Sequence, residues 1–175
     1  NVGGSGGGIG YAGIPQSLGI EFDTYNNSSP DQSNGNHIGI DINGDVKSVL
    51  LKPFTQKRLN EGDIWYAWVD YDGDKQNLEV RIASENKRPS DAFIQYKIDL
   101  VPVLQTENAY MGFTSGTGSA WGDHDILSWQ FINTYTPIGE CGLPYFTSIP
   151  TQLIQSGQTY VYEPAVSNKM QGHYV

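Results

Sequence analysis

Polar and apolar positions alternate along much of the chain before residue 133. In "SLGIEFDTY" (17–25), Ile20, Phe22 and Thr24 share one side of an extended backbone, and Glu21, Asp23 and Tyr25 share the other, because successive side chains of a strand point to opposite faces. Strand-like stretches recur at "HIGIDI" (37–42), "VKSVLLKPF" (46–54), "DIWYAWVDY" (63–71), "NLEVRIAS" (77–84), "AFIQYKIDL" (92–100), "AYMGFTS" (109–115) and "DILSWQFI" (125–132). Each predicts a strand. Asn43-Gly44 is a strong signal for a two-residue hairpin, and polar runs such as "NNSSPDQSNGN" (26–36) and "YDGDKQN" (71–77) read as loops and turns. No stretch has convincing helical periodicity; "DLVPVLQ" (99–105) predicts at most one short turn of helix. The spacing predicts an all-β fold, an antiparallel sandwich. Tyr66, Trp68, Val80, Ile82, Ile94, Tyr96, Ile98, Phe113, Leu127, Trp129 and Phe131 are its core candidates.

The pattern shifts near residue 134. "TYTPIGECGLP" has two prolines and two glycines and reads as a linker, after which "YFTSIPTQLIQSGQTYVYEPAV" starts a new alternation. The expected organisation is a first domain at 1–133, a linker at 134–143 and, at 144–175, the opening strands of an immunoglobulin-like or cadherin-like repeat. Such a repeat usually runs to about 100 residues, so the stretch is expected to be a truncated copy. The chain opens on "NVGGSGGGIG", without an initiator Met or signal-peptide features, and is expected to be a piece of something longer.

Composition narrows the chemistry. With 10 Lys plus Arg against 19 Asp plus Glu, the formal charge is −9. That disfavours nucleic acid, whose affinity rests on basic side chains at phosphates, and suits cations. No run of 18 apolar residues is present, so no membrane insertion is expected. Cys141 is the single cysteine; it is either a lone thiol or a half-cystine whose partner lies outside this chain.

Glu21, Asp23, Tyr25, Asn27, Asp31 and His37 fall within seventeen positions. Two carboxylates on one strand face repel unless a cation or a proton intervenes. Carboxylate, amide and backbone oxygens suit Ca2+, and an added imidazole suits a transition ion. Two adjacent ions sharing carboxylates would satisfy both sets.

These residues also carry a resemblance. "IEFDTYNN", Asp31 and "HIGIDI" resemble the metal-binding segment of legume-type (L-type) lectins and their bacterial relatives. "MGFTSGTGSAWGDHDILSWQF" (111–131) resembles the monosaccharide-specificity loop and final strand of that domain, and "GGSGGGIGYAGI" (3–14) resembles its sugar-touching glycine loop. The likeness covers about residues 3 to 132 and implies a concanavalin-like jelly-roll sandwich whose early strands lie upstream of Asn1. It implies that Glu21, Asp23, Asp31 and His37 hold a transition ion such as Mn2+, with Asp23 and Asp31 shared with Ca2+. Tyr25 would offer calcium its backbone carbonyl and Asn27 its side-chain oxygen. Ser48 would make a water-mediated contact, although one more residue separates it from His37 than is usual.

For glycans, the resemblance implies contacts from Asn27, from a backbone N–H of Gly7 or Gly8, and from Ser119 and Ala120, with an aromatic contact from Tyr25 or Trp121. The family's sugar-binding Asp is expected upstream of Asn1.

Other motifs compete less well. A sandwich glycanase needs Glu-x-Asp-x-x-Glu, with one carboxylate as nucleophile and another as acid; Asn26 stands at the second Glu position and cannot protonate a leaving group. Gly8-Ile9-Gly10-Tyr11-Ala12-Gly13 fits G-x-G-x-x-G, but Pro15 and a strand follow where a dinucleotide site needs a helix. Asp70 to Asp74 lacks EF-hand spacing, with Arg81 at the twelfth position, and reads as a hairpin turn. Asp123-His124-Asp125 reads as strand-edge hydrogen bonding. Asn26-Asn27-Ser28 and Asn27-Ser28-Ser29 are overlapping glycosylation sequons, and a glycan on Asn27 would exclude calcium ligation. The expectation is a non-catalytic, metal-dependent carbohydrate-binding module of a secreted or cell-surface protein, an adhesin or matrix component. Neighbouring domains would then favour homo-oligomeric or fibrous assembly. The alternative is a structural module that keeps sandwich and metals without sugar binding.

Overall fold

The computed structural model describes residues 2–135. The chain divides into two compact units, Asn1–Tyr135 and Thr136–Val175. Cys141, most of the expected linker and the whole of the expected second repeat lie outside the described residues.

Among the described residues six strands form: β1 (Leu18–Asp23), β2 (His37–Ile42), β3 (Asp45–Pro53), β4 (Tyr66–Asp72), β5 (Asn77–Ala83) and β6 (Ile94–Lys97). A 3-10 turn at Gly6–Gly8 precedes them and one short helix, α1 (Leu100–Leu104), follows. The strands make two antiparallel three-stranded sheets, ordered β1-β2-β3 and β4-β5-β6. At the β2–β3 connection both turn residues have positive φ, Asn43 at 58° and Gly44 at 74°, as a type I′ hairpin requires. The β4–β5 turn is closed by Lys75, whose N–H and ammonium both reach Asp72, each at 3.0 Å. A cationic side chain thus occupies the acidic turn that has a faint calcium-loop appearance. In α1, Asp99 caps the first turn by accepting from Val101 N–H at 3.0 Å. Pro102 sits where its missing N–H costs no intrahelical bond.

The two sheets share one core. Ile38 and Ile40 of β2, Leu78, Val80 and Ile82 of β5, Ile94 of β6, and Phe54 and Ile98 form a single buried cluster. The period of two divides β2 between two tasks. Ile38 and Ile40 enter this core, while His37, Gly39 and Asp41 face the other way, and all five are buried. β1 pairs with β2 so that Glu21 opposes Gly39 and Asp23 opposes His37. Its two acids are buried, whereas Phe22 between them is 41% exposed. The usual assignment of apolar residues inside and charged residues outside is inverted over these three positions.

Two of the expected strands do not form. Residues 109–115 and 125–132 have no ladder partner among the described residues, and an alternating segment is held as a strand only by a neighbour that takes its N–H and C=O groups. Phe113, Leu127, Trp129 and Phe131, expected in the core, are each more than half exposed. Phe113 and Trp129 pack edge to face at 5.6 Å. Tyr66 and Trp68 are half-buried and stack on each other at 6.4 Å, outside the core cluster. Val80, Ile82, Ile94 and Ile98 are core as expected, and Tyr96 packs against them.

Ile40 joins the sheets at full burial. Replacing it with Ala is expected to destabilise the protein by about 2–5 kcal/mol, the usual range for cutting a buried Ile to Ala, as measured by urea unfolding in chelator. A loss below about 1 kcal/mol would show that this contact does not hold the sheets together.

Candidate metal centre

The acid-bearing face of β1 and β2 gathers unusual charge. Glu21, Asp23, Asp31, His37 and Asp41 are all buried, with His37 and Asp41 fully so. Glu21, Asp23 and His37 each offer a ligand atom, and the three atoms lie within 4.8 Å of one another. Burying one unpaired charge is expensive; burying several of one sign is tolerated only with protons or cations among them.

His37 shows the deficit. Its Nε2 lies 3.4 Å from Glu21 Oε2, but neither ring nitrogen makes an aligned hydrogen bond. Buried imidazole nitrogens are ordinarily partnered. Burial draws its pKa down, but contact with Glu21 and the charges of Glu21, Asp23 and Asp31 outweigh that, and the net shift is upward. Burial pushes Asp23 up, opposed by its acceptance of the Tyr25 N–H (2.6 Å) and reinforced by Glu21 and Asp31. Asp41 is raised most, to about 7, by burial and then by Glu21.

Ser48 reaches this cluster despite its extra residue. Ile40 pairs with Leu50 but Ile42 pairs with Asp45, so the β2–β3 register shifts and β3 bulges opposite Asp41. The bulge brings Ser48 Oγ to 2.7 Å from Asp41 Oδ1 and 3.1 Å from Glu21 Oε2. One hydroxyl proton serves one of these oxygens at a time. Gly39 makes the approach possible: a Cβ there would overlap Ser48 Oγ and stand 2.9 Å from Glu21 Oε2. Asp41 is a member of this cluster that the motifs do not single out. Its signal in the sequence is the period of two in "HIGIDI", which puts it in step with His37.

The loop at 24–36 carries the other candidates. Asp31, 2% exposed, accepts the Asn27 N–H, but it is not part of the three-residue cluster. Asn27 lies against the glycine-rich loop; a Cβ on Gly7 would stand 2.6 Å from its Oδ1. Gly8 N–H donates to Ser5 O at 3.0 Å. Gly6 N–H donates to Thr117 O at 3.0 Å, joining this loop to the 114–120 segment. Tyr25 OH and Ser119 Oγ are 3.3 Å apart, and Ala120 O accepts from Gly118 N–H. The 24–36 loop, the glycine-rich loop and the 114–120 segment therefore meet. Trp121 is 85% exposed. His124 Nδ1 is 3.0 Å from Ser115 Oγ, which gives the Asp-His-Asp run a local hydrogen bond.

Comparisons of the sequence with known proteins point to one family. The family model for the legume lectin domain matches residues 14–140. The probable L-type lectin-domain containing receptor kinase VII.2 of Arabidopsis thaliana is 33% identical over 132 residues, 69% of this chain and 19% of its own. A lectin-like protein of the same plant is 34% identical over 132 residues, 66% of this chain and 48% of its own. The chain thus spans about a fifth of the first relative and about half of the second. Among solved structures, lectin I of Ulex europaeus in complex with the methyl glycoside of alpha-L-fucose is 26% identical, with a TM-score of 0.43, over 57% of this chain and 43% of that one.

The upward shifts set the sign of a pH dependence. A group whose pKa is raised by folding contributes stability that is lost as pH rises through its folded value. For Asp41 that loss runs from its ordinary 3.8 to about 7, and for His37 it begins at 6.5 and continues upward. In chelator, the melting temperature is expected to fall from pH 5 to pH 8, and the gain on adding Ca2+ and Mn2+ to be larger at pH 8. A metal-free melting temperature that climbs over this interval would contradict the charge assignment.

Proposed function

Because the chain belongs to the legume lectin domain family, a family of carbohydrate-binding domains, we propose that it is a metal-dependent, non-catalytic glycan-binding module. The observation that carries the reading is the buried Glu21–Asp23–His37 cluster with both imidazole nitrogens unpartnered, a donor set of oxygen and nitrogen that fits divalent cations. Glu21, Asp23, Asp31 and His37 would hold a transition ion, Mn2+, with Asp23 and Asp31 shared with Ca2+. The Tyr25 carbonyl and the Asn27 side chain would complete the calcium set, and Ser48 would contact metal through water. When bound, the cations supply the positive charge that lets these acids ionise together.

The remaining work belongs to the chain. Asn27, with its oxygen committed to calcium, keeps its NH2 for a sugar hydroxyl. Gly7 offers a backbone donor where a side chain would collide with Asn27, and it is the better donor of the pair because Gly8 N–H is engaged by Ser5. Ser119 and Ala120 line the same cradle. Tyr25 is favoured over Trp121 as the aromatic contact by its approach to Ser119. Asn26 at the position where a glycanase has its acid supports binding without hydrolysis.

The whole protein is read as secreted or displayed at the cell surface, where repeated copies would add avidity to a weak single site. The Arabidopsis relatives include receptor kinases, which fits a surface-displayed lectin domain. The immunoglobulin-like repeat at 144–175, the adhesin context and the placement near bacterial members stay with this proposal, drawn from sequence alone. A second reading, a structural module used in assembly, draws support from the exposed apolar run at Met111, Phe113, Leu127, Trp129 and Phe131.

Asn27→Ala is expected to lower binding on a glycan array at least about tenfold, the loss of roughly 1.4 kcal/mol, while circular dichroism and the melting temperature in chelator stay unchanged. Chelation of the unaltered protein is expected to abolish the same binding. Retention of full binding by Asn27→Ala would move the sugar site elsewhere, and sustained release of reducing ends from a β-glucan would defeat the non-catalytic reading.

A further inference from the structure

The metal loop leaves β1 at Asp23 and enters β2 at His37. Both ends are tied to a third segment, 54–60, which supplies none of the residues named above as ligands. Asn36, immediately before His37, is the hub. Its Nδ2 donates to Phe54 O at 2.6 Å and to Lys57 O at 2.9 Å, its Oδ1 accepts from Leu59 N–H at 2.9 Å, and its backbone O accepts from Phe54 N–H at 2.8 Å. Its own N–H donates back into the loop, to Asn34 Oδ1 at 2.8 Å. Arg58 spans both ends: its Nη2 donates to Thr24 O at 3.2 Å and to Gly35 O at 3.4 Å.

The segment that receives these bonds is itself anchored. Phe54 is 2% exposed in the shared core, with Trp65 and Phe93 rings edge-on at 5.2 and 5.4 Å, and Leu59 packs against the same core. The loop is therefore referenced to the hydrophobic core through Asn36, independently of any ion. An untied loop of this length would sample many conformations, and an ion would have to order it. A loop held at both ends presents Asp23 and His37 already near one another.

We propose that Asn36, with Arg58, is a positioning clasp for the metal centre, which fixes the loop so that its acids and His37 are arranged before a cation arrives. The inference rests on the metal-binding reading above and assigns the support of that centre to residues that touch no ligand. Groups that orient metal ligands commonly cost 10–100-fold in affinity when altered. Asn36→Asp keeps shape but removes the two donations to Phe54 O and Lys57 O. Arg58→Ala removes the bridge between Thr24 and Gly35 from an exposed position, where the fold has least to lose.

The test uses the full chain and Ca2+ alone, titrated by calorimetry after chelator treatment, with melting temperatures in chelator and in saturating Ca2+. Asn36→Asp is expected to weaken the calcium Kd about 10–100-fold, and Arg58→Ala about fivefold, near the worth of one hydrogen bond. The calcium-induced gain in melting temperature should shrink in both. A merely structural role predicts equal losses of melting temperature with and without Ca2+ and an unchanged Kd. Kd values within about twofold of the unaltered protein in both variants would overturn the clasp. If Asn36→Asp does not fold, Arg58→Ala decides alone. An unaltered protein that takes up no Ca2+ would instead overturn the metal reading itself, and the clasp with it.

Discussion

A surplus of buried negative charge organises this domain. Glu21, Asp23 and Asp41 share with His37 the side of β1–β2 away from the core, and Asp31 is buried in the adjoining loop; like charges in a low-dielectric setting repel more strongly than in water. Much of the local architecture can be understood as holding those groups in place against that repulsion. The cross-strand pairing of Asp23 with His37, the glycine under Glu21, the bulge that delivers Ser48 and the ties from segment 54–60 all act on the same cluster. Stability on the opposite face is ordinary by comparison, a row of Ile, Leu and Val shared between two sheets.

β2 is where the two regimes meet. Every residue from His37 to Asp41 is buried, yet alternate side chains serve opposite chemistry. Ile38 and Ile40 contribute transfer free energy of roughly 1.5–3 kcal/mol each, while His37 and Asp41 sit in an environment that disfavours their charged or unpartnered forms. The strand can carry the second set because the first anchors it. Functional sites often depart from local folding rules in this way and rely on neighbouring packing for compensation.

Local pattern made much of this readable. The period of two located all six strands, and Asn43-Gly44 marked a tight turn. The acids of β1 and the histidine of β2 were legible as a group because one loop joins them in sequence. What escaped depended on distant partners. Asn36 looks like one more polar loop residue until segment 54–59 is brought against it. The role of Ser48 depends on a change of register that no residue count reveals. Residues 109–115 and 125–132 have the alternation of strands, but alternation describes side chains, and a strand is completed by the hydrogen bonds of another chain segment.

The seam between the glycine-rich loop and residues 114–118 is largely made of backbone: Gly6 bonds Thr117, and Gly116 lies against Gly6 and Ile9. A seam of this kind carries little side-chain identity. If the cradle binds glycans as proposed, the choice of glycan falls to a few projecting groups at its edge, Tyr25, Ser119 and their neighbours. Inheritance of the two properties is then separable. A lineage could change what it recognises by substitutions near 119–121, leaving the acid-bearing strands under their own, unaltered selection.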